Sequence, residues 1–483
     1  MNSRAHLIRT SLLLVFAGIA IPARAFNPPI HPNIVFILAD DLGYMDIGAN
    51  NPKSFYETPN IDKLAKSGMR FTQGYAACCV CSPTRGSIMT GKYPARFGIT
   101  DWIPGSKRSG KLVSAPNAVH LPLEEVTLAE ALRESGYSTF FAGKWHLGTG
   151  KFSPNAQGFG PDLISSDGSQ FWYPSSDVPP PSHDDDPKTT DRIVNDAIRF
   201  IAANKDKPFF AYLPFLAVHN KIGARRDLVA KYERKKGLAP EDASGVEGDR
   251  KVNLVQNNAV YAAMIEQLDS GIGRLQNALS ENGLTEKTVV IFMSDNGGLS
   301  TSEGSPTSNL PLRGGKGWPY EGGIREPWII SAPGVTNPDT ICDSPVISTD
   351  YYPTILELAG LPLKPEQHVD GVSIVQLLKA KTLPQRPIFW HYPHYSNQGG
   401  APHGAVRVGE FKLIEWYEDM RAELYNLQDD LEERHDLSNK LAEKTDELRK
   451  LLHDWRADLK AQMPTPNADF KPKAPASEKN NTK

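Results

Sequence analysis

Cys81 is the residue best placed to do covalent chemistry. It closes a run in which three of the chain's four cysteines, Cys78, Cys79 and Cys81, fall within four positions. No second paired set exists to complete a zinc site, and so tight a cluster is no disulfide framework for a chain of 483 residues. Pro83 suits the first turn of a helix running to about Thr90. Cys81 would then lie at that helix's N-terminus, where free N–H groups and the dipole favour an anion and would activate a thiolate. A lone loop cysteine is more often a buried structural residue, so the surroundings must decide.

Two oxygen-rich pairs, Asp40-Asp41 and Asp295-Asn296, offer hard ligands that suit Ca2+ or Mg2+ rather than zinc. Either pair alone could cap a helix or shape a turn. Arg85, Lys144 and Lys316 are candidate fixed cations. His146 and His219 are candidate proton carriers, because histidine titrates near neutral pH. Glycines flank Lys316 and allow close backbone approach to a ligand. Taken singly, each of these side chains also fits a plain surface or structural role.

The elements expected to position them alternate. Residues 33–39 (NIVFILA) form a continuous apolar, β-rich run, as in a strand buried on both faces, and deliver Asp40. Residues 137–142 lead as a strand to Gly143-Lys144-Trp145-His146, residues 208–218 to His219, and residues 288–293 to Ser294-Asp295-Asn296. Helical patterns occupy 61–66, 127–135 with Thr127 as N-cap, 191–204 and 252–282. The order predicts an α/β fold, a large mostly parallel sheet sandwiched by helices, in which ligands bind beyond the carboxyl ends of the strands. All four polar sets fall at that edge, which favours a site over four unrelated turns. Short strands at 388–392, 405–408, 411–416 and 423–426, then a helix over 439–460, predict a smaller C-terminal α+β domain on an antiparallel sheet.

Cys81-Ser82-Pro83-Thr84-Arg85, followed by Thr90-Gly91, resembles the signature of the type I sulfatase family, within the alkaline-phosphatase-like superfamily. The resemblance extends over roughly residues 33–460 and is nearest to bacterial carbohydrate exo-sulfatases. It implies that a maturation enzyme oxidises Cys81 to formylglycine, whose hydrate attacks sulfur and later expels sulfate. It implies one Ca2+ held by Asp40, Asp41, Asp295, Asn296 and an oxygen of residue 81. Gly143-Lys144-Trp145-His146-Leu147-Gly148 and Leu312-Arg313-Gly314-Gly315-Lys316-Gly317 are similar to two further family motifs. They imply that Arg85, Lys144 and Lys316 surround the sulfate, that His219 protonates the leaving alcohol and that His146 assists the covalent intermediate. Ser165 or Ser166 is a further candidate for a sulfate hydrogen bond.

A net charge of −3 argues against a nucleic-acid partner. Residues 1–25 read as a secretory signal: Arg4, His6 and Arg9, an apolar run over 12–21, then Ala23-Arg24-Ala25 before Phe26. The run is shorter than the ~20 residues that span a bilayer, which predicts a periplasmic or secreted protein with no membrane attachment after cleavage. The expected division is a catalytic domain over 26–382, the α+β subdomain over 383–462 and a disordered tail over 463–483. Residues 175–187 and 237–249 read as surface insertions. The expected substrate is a sulfated saccharide, with galactose or N-acetylgalactosamine sulfate favoured. His391, His394, Tyr395, His403, Arg225 and Arg226 are candidates for reading the sugar. The competing functions are a phosphatase or phosphonate hydrolase on the same fold, and a non-catalytic binder of sulfated glycans.

Overall fold

The computed structural model describes residues 31–160, 163–165, 170–174, 184–237 and 240–471. The expected signal segment, Ser166 and most of the 175–187 loop lie outside these residues.

A seven-stranded sheet organises the chain in the order Thr340–Cys342, Met69–Phe71, Trp328–Ser331, Thr288–Ser294, Asn33–Ala39, Phe209–Pro214 and Ser138–Phe141. Trp328–Ser331 runs antiparallel to both neighbours and the remaining pairings are parallel. The apolar run at residues 33–39 explains why this strand is central: all seven of its residues are buried. Its side chains alternate between two cores. Ile34, Phe36 and Leu38 pack with Leu128, Leu132 and Tyr351. Val35, Ile37 and Ala39 pack with Ile193, Val194, Leu268 and Ile272 of the helices Thr190–Ala203 and Ala259–Glu281. Each Val, Leu, Ile or Phe side chain among them contributes about 1.5–3 kcal/mol on full burial. Thr127 caps Leu128–Glu134 through a capping box with Glu130, as its position predicted.

A second, antiparallel sheet runs Ile388–Tyr392, His403–Val408, Phe411–Trp416, Arg421–Asn426. Helix Ala442–Asp458 covers it, with Leu448 and Leu452 joining Trp390, Leu413 and Leu424 in a third core. The fold class is the α/β plus α+β arrangement the sequence predicts.

Three local expectations need correction. The helix expected over 252–282 begins only at Ala259, because the Asn258 side chain accepts from the Tyr261 N–H at 3.0 Å and caps it there. Val252 belongs instead to a hairpin, Ser244–Glu247 with Arg250–Asn253, whose first strand lies in the expected surface insertion at 237–249. Residues 472–483 of the expected disordered tail lie outside the described residues, but its first part is not featureless: Thr465–Pro466 pairs with Leu112–Val113, and the Asn467 amide donates to the Gly110 carbonyl at 2.9 Å. Backbone pairing ties down a segment whose composition alone predicts disorder.

Candidate active site

Register places the acidic pairs together. In the central parallel pairing Ala39 lies opposite Ser294, so the next residues, Asp40 and Asp295, leave the sheet side by side. Asp41 takes a left-handed conformation (φ 66°), and its N–H donates to Asp295 Oδ1 at 3.2 Å. The Asn296 amide donates to Asp41 Oδ1 at 2.8 Å. On the other side Leu38 pairs with Pro214, and the loop that follows is stitched to Asp40: its N–H donates to the Ala217 carbonyl and its carbonyl accepts from Val218. That loop brings His219 to the same edge.

Cys81 begins the helix Cys81–Thr90 and is buried. Its Sγ lies 3.2 Å from His146 Nδ1. His146 Nε2 lies 2.7 Å from the Ile103 carbonyl, which assigns the proton to Nε2 and leaves Nδ1 as acceptor. Burial, then Lys144 and Arg85, push the His146 pKa well below its usual value, so the ring is neutral. The expectation of an activated thiolate is reversed: burial pushes the Cys81 thiol up to about 11, against the lowering by Lys144 and Lys316. Desolvation outweighs the helix terminus and the two ammonium groups.

Each cation sits on a carboxylate. Lys144 Nζ is 2.6 Å from Asp40 Oδ2, and Lys316 Nζ is 2.8 Å from Asp41. Arg85 donates from Nε and Nη2 to Asp295 Oδ2 at 2.9 and 2.7 Å, and from Nη1 to the Lys144 carbonyl at 2.6 Å. Arg85 therefore lies behind the acidic residues and does not line the cavity, unlike Lys144 and Lys316. Lys316 is held by a loop that requires glycine next to it: Gly317 has φ 82°, and a Cβ there would stand 1.9 Å from Ser396 Oγ. His219 Nε2 is 3.7 Å from Asp41 Oδ2, and Nδ1 donates to the Asn220 carbonyl at 2.6 Å. Burial, with Lys316 and Lys144 adding to it, lowers the His219 pKa to about 4.

These groups open into a cavity of about 470 Å3. Asp40, Cys81, Lys144, His146, His219 and Lys316 all line it. So do residues the sequence did not single out, among them Trp102, Gln170, Lys188, Glu303 and Gln398. Only the Asn397-Gln398-Gly399-Gly400 turn carried a local signal, a glycine pair that lets the C-terminal domain reach the cavity. Ser165 does not line it. The proposed sugar readers do not either. His391 and His403 lie inside strands, and His391, His394 and Tyr395 are buried against Tyr417, Thr100 and Glu418. Arg225 and Arg226 pair with Asp227 and Asp184 on the surface.

The acidic cluster suits a metal ion. Asp40 Oδ1 and Asn296 Oδ1 are buried with no hydrogen-bond partner among the described residues. Asp40, Cys81 and Asp295 present ligand atoms within 4.8 Å of one another, as do Asp40, Asp41 and His219. Both groupings share Asp40, which fits one ion.

A mixed sheet carrying a residue at a helix N-terminus, a cationic cavity and an acidic cluster at the strand ends defines a hydrolase of alkaline-phosphatase-like architecture. The sulfatase family model matches residues 32–361, and a second, for the C-terminal region of N-sulphoglucosamine sulphohydrolase, matches 315–462. The chain belongs to the sulfatase family and is an enzyme of sulfate-ester hydrolysis. It is 32% identical over 485 residues to a sulfatase of Formosa agariphila, covering 84% of each chain. It is 33% identical over 440 residues to human arylsulfatase A, covering 84% of this chain and 77% of the relative. Among solved structures, Ps i-CgsB superposes with a TM-score of 0.72 at 28% identity, covering 89% of this chain and 93% of that one. No helix among the described residues is long and apolar enough to cross a membrane.

Proposed function

We propose that this enzyme removes sulfate from the ends of sulfated glycans, with residue 81 in its formylglycine form and one Ca2+ at the acidic cluster. The observation that carries the reading is the 3.2 Å contact of Cys81 Sγ with the acceptor nitrogen of His146, in the same cavity as Lys144 and Lys316. The formylglycine hydrate would supply two hydroxyls on one carbon, one to attack sulfur and one to release sulfate afterwards. Asp40, Asp41, Asp295 and Asn296, with an oxygen of residue 81, would hold the ion. Their all-oxygen donor set and two unpartnered oxygens suit calcium, which would offset sulfate charge and lower the pKa of the attacking oxygen.

The chain's own residues have separate tasks. His146 takes the proton from the group at position 81. Lys144 and Lys316, whose pKa values are raised despite burial, stay charged and face the sulfate. Arg85 fixes Asp295 and the Lys144 carbonyl. His219 presents Nε2 to the cavity; the anionic substrate offsets the two ammonium groups and lets it carry a proton to the departing sugar oxygen. Arg85, Lys144 and Lys316 balance Asp40, Asp41 and Asp295, so a divalent ion leaves a positive surplus for a sulfate.

The glycan assignment is supported by a structure of Ps i-CgsB in complex with k-i-k-neocarrahexaose, at 27% identity and TM-score 0.71. It is also supported by 28% identity over 431 residues to a dog N-acetylgalactosamine-6-sulfatase, covering 84% of this chain and 75% of the relative. Galactose and N-acetylgalactosamine sulfates are therefore the candidate sugars, met after export through the 1–25 leader and after maturation by a formylglycine-generating enzyme. A panel of sulfated mono- and oligosaccharides, with a phosphate monoester as control, tests the reading. Sulfate release from terminal sugars supports it, and preference for the phosphate sinks it. Peptide mass spectrometry at residue 81 tests the chemistry: active protein with an intact thiol there overturns it.

A further inference from the structure

Lys188 stands apart from the other two lysines of the cavity. Lys144 and Lys316 each sit within 2.8 Å of a carboxylate oxygen. Lys188 lines the same cavity, half-buried, yet makes no ion pair among the described residues. It is held at the foot of helix Thr190–Ala203 by a turn in which the Thr189 N–H donates to the Asp186 carbonyl at 2.9 Å. Burial and the nearby Lys144 lower its pKa, while Asp40 and Asp41 act the other way, so it lies within the field of the reacting groups. A partly desolvated ammonium with no ion-pair partner is costly unless an anion arrives.

Gln170 lines the cavity too, and its Oε1 is buried without a hydrogen-bond partner among the described residues. An acceptor cannot itself meet an anion, so the amide would serve an oxyanion through its NH2 alone. Phe171 and Pro187, next in sequence to these two residues, add apolar lining. Glu303 enters the cavity from a separate segment, its carboxylate accepting from Gln398 Nε2 at 2.8 Å. The cavity therefore has one side that attracts a second anion and one that repels it.

We propose that Lys188, with Gln170, forms a second anion subsite that takes another sulfate or a carboxylate of the same saccharide while its scissile sulfate occupies the Lys144–Lys316 site. The inference rests on the sulfate-ester reading above. It makes Lys188 a specificity residue that selects saccharides carrying two negative groups.

The test compares kcat/KM for a disulfated monosaccharide, a uronate-linked sulfated disaccharide and a singly sulfated monosaccharide. The proteins are wild type and the Lys188→Met, Lys188→Arg and Lys188→Glu variants. A charge-assisted contact predicts that the ratio of doubly to singly anionic turnover falls about 10–100-fold in Lys188→Met. It should fall further in Lys188→Glu and recover in Lys188→Arg. Whichever doubly anionic substrate loses more identifies the second group as sulfate or carboxylate. Parallel loss on all substrates, an unchanged ratio, or no wild-type turnover of either doubly anionic substrate overturns the subsite. Wild-type release of sulfate from 4-nitrophenyl sulfate is read alongside. Release with an unchanged ratio refutes the subsite alone, whereas no release from any sulfate ester refutes the parent reading and the subsite with it.

Discussion

His146 Nδ1 stands 3.2 Å from Cys81 Sγ because its other nitrogen is fixed 2.7 Å from the Ile103 carbonyl. The backbone contact sets the tautomer, and the tautomer makes Nδ1 the acceptor. His146 itself has φ 58°, so the ring is aimed from an uncommon backbone conformation.

Replacing His146 with alanine removes the acceptor and leaves the cations in place. The expected result is a fall in kcat of about 10²–10⁴-fold on an aryl sulfate, with a much smaller change in KM. Steady-state kinetics on protein verified as modified at residue 81 would check it. A kcat within threefold of wild type would remove His146 from proton transfer.

Arg85 ties Asp295 to the Lys144 backbone from a fully buried position. Arg85→Met would leave Asp295 without its counter-charge, at a cost of about 3–5 kcal/mol. The expected signature is a lower melting temperature together with weaker Ca2+ affinity by calorimetry, because the carboxylate loses its fixed orientation. Loss of activity with unchanged melting and metal binding would instead place the guanidinium on the substrate.

The parts of this site that were legible in sequence follow from one physical fact. A strand buried on both faces is a continuous apolar run, so Asp40 and Asp295 announce themselves by ending such runs. Lys144 follows a strand in the same way. Lys188, Trp102 and Gln398 were not legible because they come from irregular segments, one of them in the second domain, and only tertiary packing aims them at the cavity. Arg85 was legible as a residue but not in its contacts: its motif says nothing of which anion it meets. His403 misled for a related reason, since a polar residue near glycines looks like a loop residue until strand pairing buries it, and His391, inside an expected strand, misled because the pattern does not say what covers its face.

Those buried histidines carry a pH prediction. Burial lowers His391 to about 4, and His394 and His403 to about 3, from an ordinary 6.5. Between 6.5 and those values the unfolded chain binds more protons than the folded one, so stability is complete above about pH 6.5 and falls as pH drops below it. Each group contributes a slope of up to about 1.4 kcal/mol per pH unit. His391→Gln keeps a donor for the Gln462 carbonyl and removes the titration. The difference in melting temperature between the variant and wild type should therefore shift in the variant's favour from pH 7.5 to pH 5.5. A difference independent of pH would show that His391 does not titrate on unfolding.

Lys412 joins the two sheets' domains through charge. Its ammonium has no solvent exposure and lies 3.0 Å from Glu321 and 2.9 Å from Glu433. Glu321 follows the Lys316 loop, and its N–H donates to Glu433 at 2.7 Å, so the triad sits just behind the segment that holds Lys316. Glu321 also meets the Arg325 guanidinium at 3.4 Å, whereas Glu433 pairs among the described residues with Lys412 alone, and burial and Glu321 raise the Glu433 pKa against it. Lys412→Met would leave Glu433 buried without a cation and Glu321 with Arg325 alone, and a loss of about 3–5 kcal/mol is expected. Adding Glu433→Gln should recover part of that loss, because the double variant removes the stranded acid. A thermal-melting double-mutant cycle measures the coupling. Additive losses from the two substitutions would mean that Lys412 acts by packing alone, and that the domains are not held together by this charge.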